Sequence, residues 1–121
     1  MTMEECYRQL GGNFAEVGAR LPSTALVEKF VLRFPEDPSF ETLCAQIRAG
    51  NRKEAFRAAH TLKGVCANLS FTRLLASAGQ LTEVLRPETD TIPDTAADLL
   101  EDVCRDYQST VDAICRYRAE R

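Results

Sequence analysis

Apolar residues recur at helical spacing along nearly the whole chain of 121 residues, and this periodicity constrains the fold more than any other feature. Positions three and four residues apart are apolar in one segment after another, whereas no segment alternates between apolar and polar residues as a half-buried strand does. Glycine or proline separates most of the segments, at Gly11, Gly12, Pro22, Pro35, Pro38, Gly50 and Pro87, and a turn over residues 68–70 separates two others. The sequence therefore predicts an all-α protein.

Four of the segments are long enough to be the main helices of a bundle. We expect these helices to begin near positions 39, 51, 71 and 93 and to form an antiparallel four-helix bundle over residues 39–121. Short extra helices over residues 1–38 are expected to form an N-terminal cover on one end or side of the bundle. Because 121 residues is the length of one domain, we expect residues 1–121 to fold as a single unit.

Three residues mark the expected starts of bundle helices. Ser39 and Asn51 have side chains that accept hydrogen bonds from the first backbone N–H groups of a helix. Pro93 suits the first turn of a helix, where the N–H that proline lacks is not needed. We therefore expect Ser39 and Asn51 to cap their helices, and Pro93 to lie in the first turn of the last helix.

The segment from 51 to 69 contains the only histidine of the chain, His60. At about 100° per residue, the apolar residues of this helix fall on one broad face, and His60 points roughly 140° away from the centre of that face. The face consists of Ala55, Ala59, Leu62, Val65, Cys66 and Leu69. We therefore expect His60 to be exposed to water or to a partner.

Three cations and two very small residues surround His60. Within about 60° of it around the helix lie Lys53, Arg57, Lys63, Gly64 and Ala67. Helical side chains lean toward the N-terminus, so the residue that would cover His60 is the one a turn later, Gly64. Glycine inside a helix costs about 1 kcal/mol relative to alanine, and we interpret Gly64 as giving access to the imidazole. An uncovered histidine in a positive field suits a phosphoryl group.

The run His-Thr-Leu-Lys-Gly from His60 to Gly64, followed by Cys-Ala-Asn-Leu at 66–69, resembles the phosphorylation motif of histidine-containing phosphotransfer (HPt) domains. The resemblance covers residues 51–86, with Ser70 where many members carry glycine. It implies that His60 accepts a phosphoryl group through Nε2, from a receiver-domain phosphoaspartate or a sensor kinase, and passes it to a response regulator. One turn along, Lys63 is then expected to neutralise charge on the phosphoryl oxygens.

Two further side chains are candidates for this site. Phe56 lies one turn before His60 and is expected to be half-buried. On the next helix, either Gln80 or Thr82 is in a position to hydrogen-bond the imidazole or the phosphoryl group, and the sequence does not choose between them. The expected docking surface includes the adjoining edge of the helix from Phe71. On the His60 helix it comprises Lys53, Phe56, Arg57, His60, Lys63, Gly64 and Ala67.

The formal net charge of −3 hides two regions of opposite sign. Between residues 51 and 73 five basic residues stand against one acid, and between residues 87 and 106 seven acids stand against one basic residue. An acidic chain is a poor partner for nucleic acid, whose binders are basic. A positive region around His60 instead favours a small anion or an acidic pocket on another protein.

The apolar runs, the first residues and the cysteines indicate where the protein acts and whether it binds a metal. No apolar run approaches the roughly 20 residues needed to cross a bilayer, and the first residues lack the basic start and apolar stretch of a signal peptide. The five cysteines lack the paired spacing of a zinc site, and no second histidine is present, so we expect reduced thiols and no metal site. We therefore expect a cytoplasmic monomer that binds neither membrane nor nucleic acid.

No catalytic arrangement accompanies His60. Its helical neighbours are basic or small, whereas an acid–base or nucleophilic site needs a carboxylate beside the histidine, and the chain has no nucleotide-binding motif. The HPt resemblance thus implies a phosphocarrier that is not a complete kinase and has no cofactor of its own. Magnesium and the catalytic acids are expected on a response-regulator receiver domain, with a sensor histidine kinase as the second partner.

Two alternatives stay open from the sequence. In one, the bundle is a protein-interaction module without phosphotransfer, and His60 is incidental. In the other, the chain is the phosphoacceptor domain of a larger sensor kinase. The initial Met1 and the compact length favour a free-standing protein.

Overall fold

The computed structural model describes all 121 residues and contains seven α-helices and no strand. The helices are α1 (Met3–Leu10), α2 (Phe14–Arg20), α3 (Thr24–Arg33), α4 (Ser39–Arg48), α5 (Arg52–Leu69), α6 (Thr72–Leu85) and α7 (Thr95–Ala119). A single 3₁₀ turn, Phe34–Glu36, follows α3. The predicted all-α class is confirmed.

Side-chain caps begin four of the helices. The side chains of Thr2, Asn13, Ser23 and Asn51 each accept a hydrogen bond from the backbone N–H three residues later, at 3.0–3.3 Å. After three of these caps, that third residue is a glutamate, whose charge is favourable near the positive end of the helix dipole. The predicted cap of α5 by Asn51 is confirmed.

Two other predicted helix starts are wrong in detail. Ser39 is already the first residue of α4, because Pro38 has helical backbone angles, and Asp37 Oδ1 accepts the hydrogen bond from the Ser39 N–H at 2.9 Å. Pro93 lies before α7, which begins at Thr95. The Pro93 carbonyl closes a turn with the N–H of Ala96 at 3.0 Å, so the helix forms only after this turn.

Helices α4 to α7 form the predicted bundle. Along the chain each packs against the next, and α4 is brought beside α7 by the rings of Phe40 and Tyr107, which stack with centroids 3.9 Å apart and planes at 9°. α5 therefore packs between α4 and α6, and Ala55, Ala59 and Leu62 on this side are buried. The opposite side of α5 faces solvent.

The N-terminal helices pack onto this bundle at two places. α1 lies against α7, and α3 contacts both α5 and α7. Tyr7 is buried, and its hydroxyl donates a hydrogen bond of 2.7 Å to the backbone carbonyl of Leu69, the last residue of α5. Phe34, just after α3, packs edge-on against Phe71 at 5.0 Å between centroids. The cover thus holds the C-terminal end of α5.

A side-chain clamp completes that end. Ser70 adopts left-handed backbone angles, with φ 56°, and thereby ends α5 where glycine is the usual residue. Arg20 donates hydrogen bonds to the carbonyls of Ala67 and Asn68, at 3.0 and 2.7 Å, and to Ser70 Oγ at 3.0 Å. Ser70 Oγ in turn donates to Glu16 at 2.7 Å. The Arg20 guanidinium thus supplies hydrogen bonds to carbonyls at the end of α5, where the helix has run out of its own N–H donors.

No helix of the protein combines the length and the apolar character that a membrane span requires.

Candidate functional site

His60 projects from the solvent-facing side of α5, halfway along the helix. Its side chain is exposed, and it forms no hydrogen bond or ion pair within the protein. The ring of Phe56, one turn earlier, lies nearly parallel to the imidazole, with centroids 5.9 Å apart and planes at 21°. Phe56 is half-buried, so a ring held by packing supports one side of a free imidazole.

The surface one turn after His60 is open. A Cβ added to Gly64 would have no atom within 4 Å, so nothing packs over the imidazole from this direction. Gly64 therefore does not serve close helix packing, since no other helix lies in contact with the position of its missing side chain. In contrast, a Cβ at Gly79 of α6 would lie 3.9 Å from Lys63 Cε, which places the end of the Lys63 side chain beside α6.

The cations near His60 differ in what they contact. Lys53 and Lys63 have no ion-pair partner, whereas Arg57 is paired with Glu54 at 3.0 Å. Arg52 is turned away from His60 and donates to the carbonyls of Leu85 and Thr89, at 2.7 and 2.9 Å, which fastens the loop after α6. The two lysines are thus the basic groups free to meet an anion.

The remaining predicted site residues lie at the edges of this surface. Ala67 is exposed, and its backbone carbonyl is held by Arg20. Gln80 is exposed on α6 and makes no hydrogen bond. Thr82 is fully buried and donates its hydroxyl to the carbonyl of Ala78 at 2.7 Å, so Thr82 does not reach His60. Of the two α6 candidates, only Gln80 has its side chain at the surface.

Two hollows lie on either side of the His60 position. The first, which we call the apolar hollow, has a volume of about 450 Å³ and lies where α3 and the 3₁₀ turn meet α5. Its walls are Phe30, Arg33, Phe34, Asp37, Thr61, Gly64, Val65, Asn68 and Leu69. The second, the basic hollow, measures about 540 Å³ and is lined by Arg52, Lys53, Phe56, Arg57, Arg86, Glu88, Thr89 and Asp90. On α5 the first hollow begins with residues after His60 and the second ends with residues before it, and His60 itself lines neither.

Sequence reasoning missed the α3 wall of the apolar hollow. Phe30 lies on α3 and lines the hollow together with Gly64, a proximity that the sequence did not predict. The readable signal was the helical spacing of Leu26, Val27, Phe30 and Val31, which indicates an apolar helix face but not the surface that this face contacts. The side chain of Phe30 is half-buried, so it presents apolar surface next to the open backbone of Gly64.

Sequence reasoning also missed a charged pair on α6. Arg86 donates two hydrogen bonds to Glu83, both at 3.0 Å, and its guanidinium carbon lies 5.1 Å from the ring centre of Phe56. These hydrogen bonds lower the pKa of the Glu83 carboxyl, and the charges of Lys63 and His60 lower it further. The spacing of three residues between Glu83 and Arg86 was a readable signal of the pair, though not of its position near His60.

The cysteines lie apart from this site. All five thiols are free, and no group of three histidine, cysteine or acidic side chains is arranged to hold a metal ion. Cys66, in the tail of the motif, is fully buried, and burial raises the pKa of its thiol to about 12. A protonated buried thiol is a packing group, not a nucleophile.

Comparison with known proteins gives one family. A model of the Hpt domain matches residues 25–114, a stretch that runs from α3 to the second half of α7 and includes the whole of α5 and α6. Helices α1 and α2 lie outside the match. No curated protein and no solved structure matches the chain.

Proposed function

This chain belongs to the Hpt domain family, and we propose that it is a phosphocarrier in which His60 accepts a phosphoryl group from a receiver-domain phosphoaspartate, or from a sensor kinase, and passes it to a response regulator. The Hpt domain is a phosphotransfer module of two-component signalling, and in phosphorelays it interacts with receiver domains and kinases. The observation that carries the proposal is the exposed, unpaired imidazole of His60 beside the open space at Gly64.

The proposed transfer needs no base from this chain. In the proposed step the neutral imidazole of His60 is the nucleophile, and its Nε2 lone pair attacks the phosphorus atom. The N–P bond forms as the acyl O–P bond of the phosphoaspartate breaks, and the aspartate leaves as a carboxylate with the electrons of that bond. The ring keeps its Nδ1 proton throughout. Phosphoryl transfer is then a matter of positioning and charge neutralisation, which Lys63 assists.

The surface around His60 is suited to a receiver domain. Such a domain presents an acidic pocket, and Lys53 and Lys63 supply unpaired positive charge on either side of the histidine. Close approach at Gly64 brings the partner against the apolar hollow, where Phe30 and Val65 offer half-buried apolar surface. We place Mg²⁺ and the catalytic acids on the receiver and propose no cofactor for this chain.

The protein is proposed to act as a monomer in the cytoplasm. No large apolar side chain is fully exposed, so the surface offers no extensive apolar patch for a second copy. The partner surfaces invoked above therefore remain free for the receiver and the kinase.

The direct test is a timed transfer from a phosphorylated receiver domain, with acid-labile phosphate measured on this chain. His60→Gln is expected to abolish acceptance and to leave the helical circular dichroism and the melting temperature unchanged, because the side chain is exposed and unpaired. A matched control is the double variant His60→Gln, Gln108→His, which carries one histidine at an exposed position of α7 instead of at position 60. It is expected to accept no phosphate.

The same experiment separates the alternatives. Full acceptance by His60→Gln would end the phosphocarrier proposal. A chain that binds the receiver but takes no phosphate would be an interaction module, as the second hypothesis holds. Transfer only from the kinase active site, and none from a receiver, would favour the phosphoacceptor domain of a larger sensor kinase.

A further inference from the structure

One acidic side chain, Glu83, approaches the site from the neighbouring helix. It lies on α6 one turn after Gly79, the residue beside which Lys63 Cε lies. Electrostatic influence on the Glu83 carboxyl comes first from Arg86 and then from Lys63 and His60, all of which lower its pKa. A fixed carboxylate near an acceptor histidine needs an explanation, because it repels the dianion that the histidine is to receive.

Arg86 connects this carboxylate to the histidine through contacts. Its guanidinium forms a two-pronged pair with Glu83, with both N–O distances 3.0 Å, and lies over Phe56 at 5.1 Å from the ring centre. The ring of Phe56 is 5.9 Å from that of His60. One negative and one positive group, paired with each other, are thus positioned on the α6 side of the imidazole.

We propose that the Glu83–Arg86 pair sets the equilibrium between free and phosphorylated His60, with Glu83 disfavouring and Arg86 favouring the phosphoryl group. The inference rests on the proposed function of His60. While Glu83 and Arg86 are paired, each charge offsets the effect of the other on the phosphoryl group. The equilibrium between free and phosphorylated His60 is then shifted strongly in neither direction. Such a balance suits a carrier, because a group that is bound too tightly is not passed on.

The test compares equilibrium positions and not rates. Each variant is incubated with the same receiver domain, phosphorylated from acetyl phosphate and freed of the donor, and the ratio of phosphohistidine to phosphoaspartate is measured at equilibrium. Because the receiver is the same, its own phosphoryl free energy cancels in the comparison. Glu83→Gln is expected to raise the ratio about two- to fourfold, and Arg86→Gln to lower it by a similar factor, the size of a charge interaction through water at physiological salt.

Two controls isolate the charges. Glu101→Gln makes the same change in net charge at an exposed, unpaired position of α7 and is expected to leave the ratio unchanged. Arg86→Lys keeps the positive charge without the two-pronged geometry and is expected to give a ratio much closer to that of the unaltered chain than Arg86→Gln does.

The direction of the two effects decides the outcome. If the pair served only to hold α6, both substitutions would break the same contact and shift the ratio in the same direction. That result, or an unchanged ratio in both variants, would overturn the inference while leaving phosphotransfer intact. If the unaltered chain takes no phosphoryl group from the receiver, the proposed function fails, and the inference fails with it.

Discussion

Side-chain volume at position 64 is the residue-scale feature on which access to His60 depends. We predict that Gly64→Leu blocks receiver-dependent phosphorylation of His60, because the new side chain leans back over the imidazole. The same substitution is expected to raise the free energy of unfolding by about 0.5–1 kcal/mol, since leucine is the better helix former and no atom lies within 4 Å of the new Cβ. Transfer assays with urea titrations measure both effects.

A matched glycine separates stability from access. Gly18 also has no atom within 4 Å of an added Cβ and lies within α2, away from His60. Gly18→Leu should therefore stabilise the protein by a similar amount without slowing transfer. Normal transfer in Gly64→Leu would remove the access argument, whatever its stability.

At the scale of elements, the end of α5 depends on a residue in an unusual conformation. We predict that Ser70→Ala lowers the free energy of unfolding by about 1–2 kcal/mol, because it keeps the strained positive φ and loses the hydrogen bonds with Glu16 and Arg20. Ser70→Gly also loses these bonds but relieves the left-handed strain, which costs a non-glycine residue roughly 1 kcal/mol, so its net change should be much smaller. Denaturant unfolding of both variants measures the difference, and an equal loss would show that the hydrogen bonds alone matter.

At the scale of the whole molecule, the N-terminal cover and the bundle are joined by a buried hydrogen bond. The Tyr7 hydroxyl donates to the Leu69 carbonyl at 2.7 Å, so Tyr7→Phe is predicted to cost about 1–2 kcal/mol of unfolding free energy in a single cooperative transition. Tyr107→Phe is the control, because the half-buried Tyr107 hydroxyl has no partner in the protein. Two separate transitions in urea would mean that α1 and the bundle unfold independently.

The charge distribution of the whole molecule also makes a kinetic prediction. Transfer from an acidic receiver pocket should slow as salt rises, because screening weakens attraction to the positive side of α5. Lys53→Ala should reduce this salt dependence, whereas Lys29→Ala, which removes an exposed lysine of α3, should not. Stopped-flow transfer over a salt series measures the slopes. A rate that is independent of salt in the unaltered chain would contradict a charge-guided encounter.

Local chemistry determined much of this protein from the sequence by itself. Apolar periodicity and glycine or proline breaks predicted a four-helix bundle with short N-terminal helices, because these signals act within one or two turns of the chain. The Asn51 cap and the outward direction of His60 followed in the same way, since a helix converts residue number into angle. The motif from His60 to Leu69 indicated the family that the comparison confirms.

Only the tertiary structure decided which distant residues meet. The pair Glu83–Arg86 lies near His60 because core packing sets how α6 rests against α5. The apolar hollow likewise depends on where α3 comes to rest. The burial of Thr82, in contrast, follows from its own helix, since at about 100° per residue Thr82 lies among the apolar residues of α6. Asp37, and not Ser39, accepts a backbone hydrogen bond at the start of α4, because the 3₁₀ turn and Pro38 set the backbone angles before this helix. Contacts between elements depend on the shape of the whole core, which no local pattern contains.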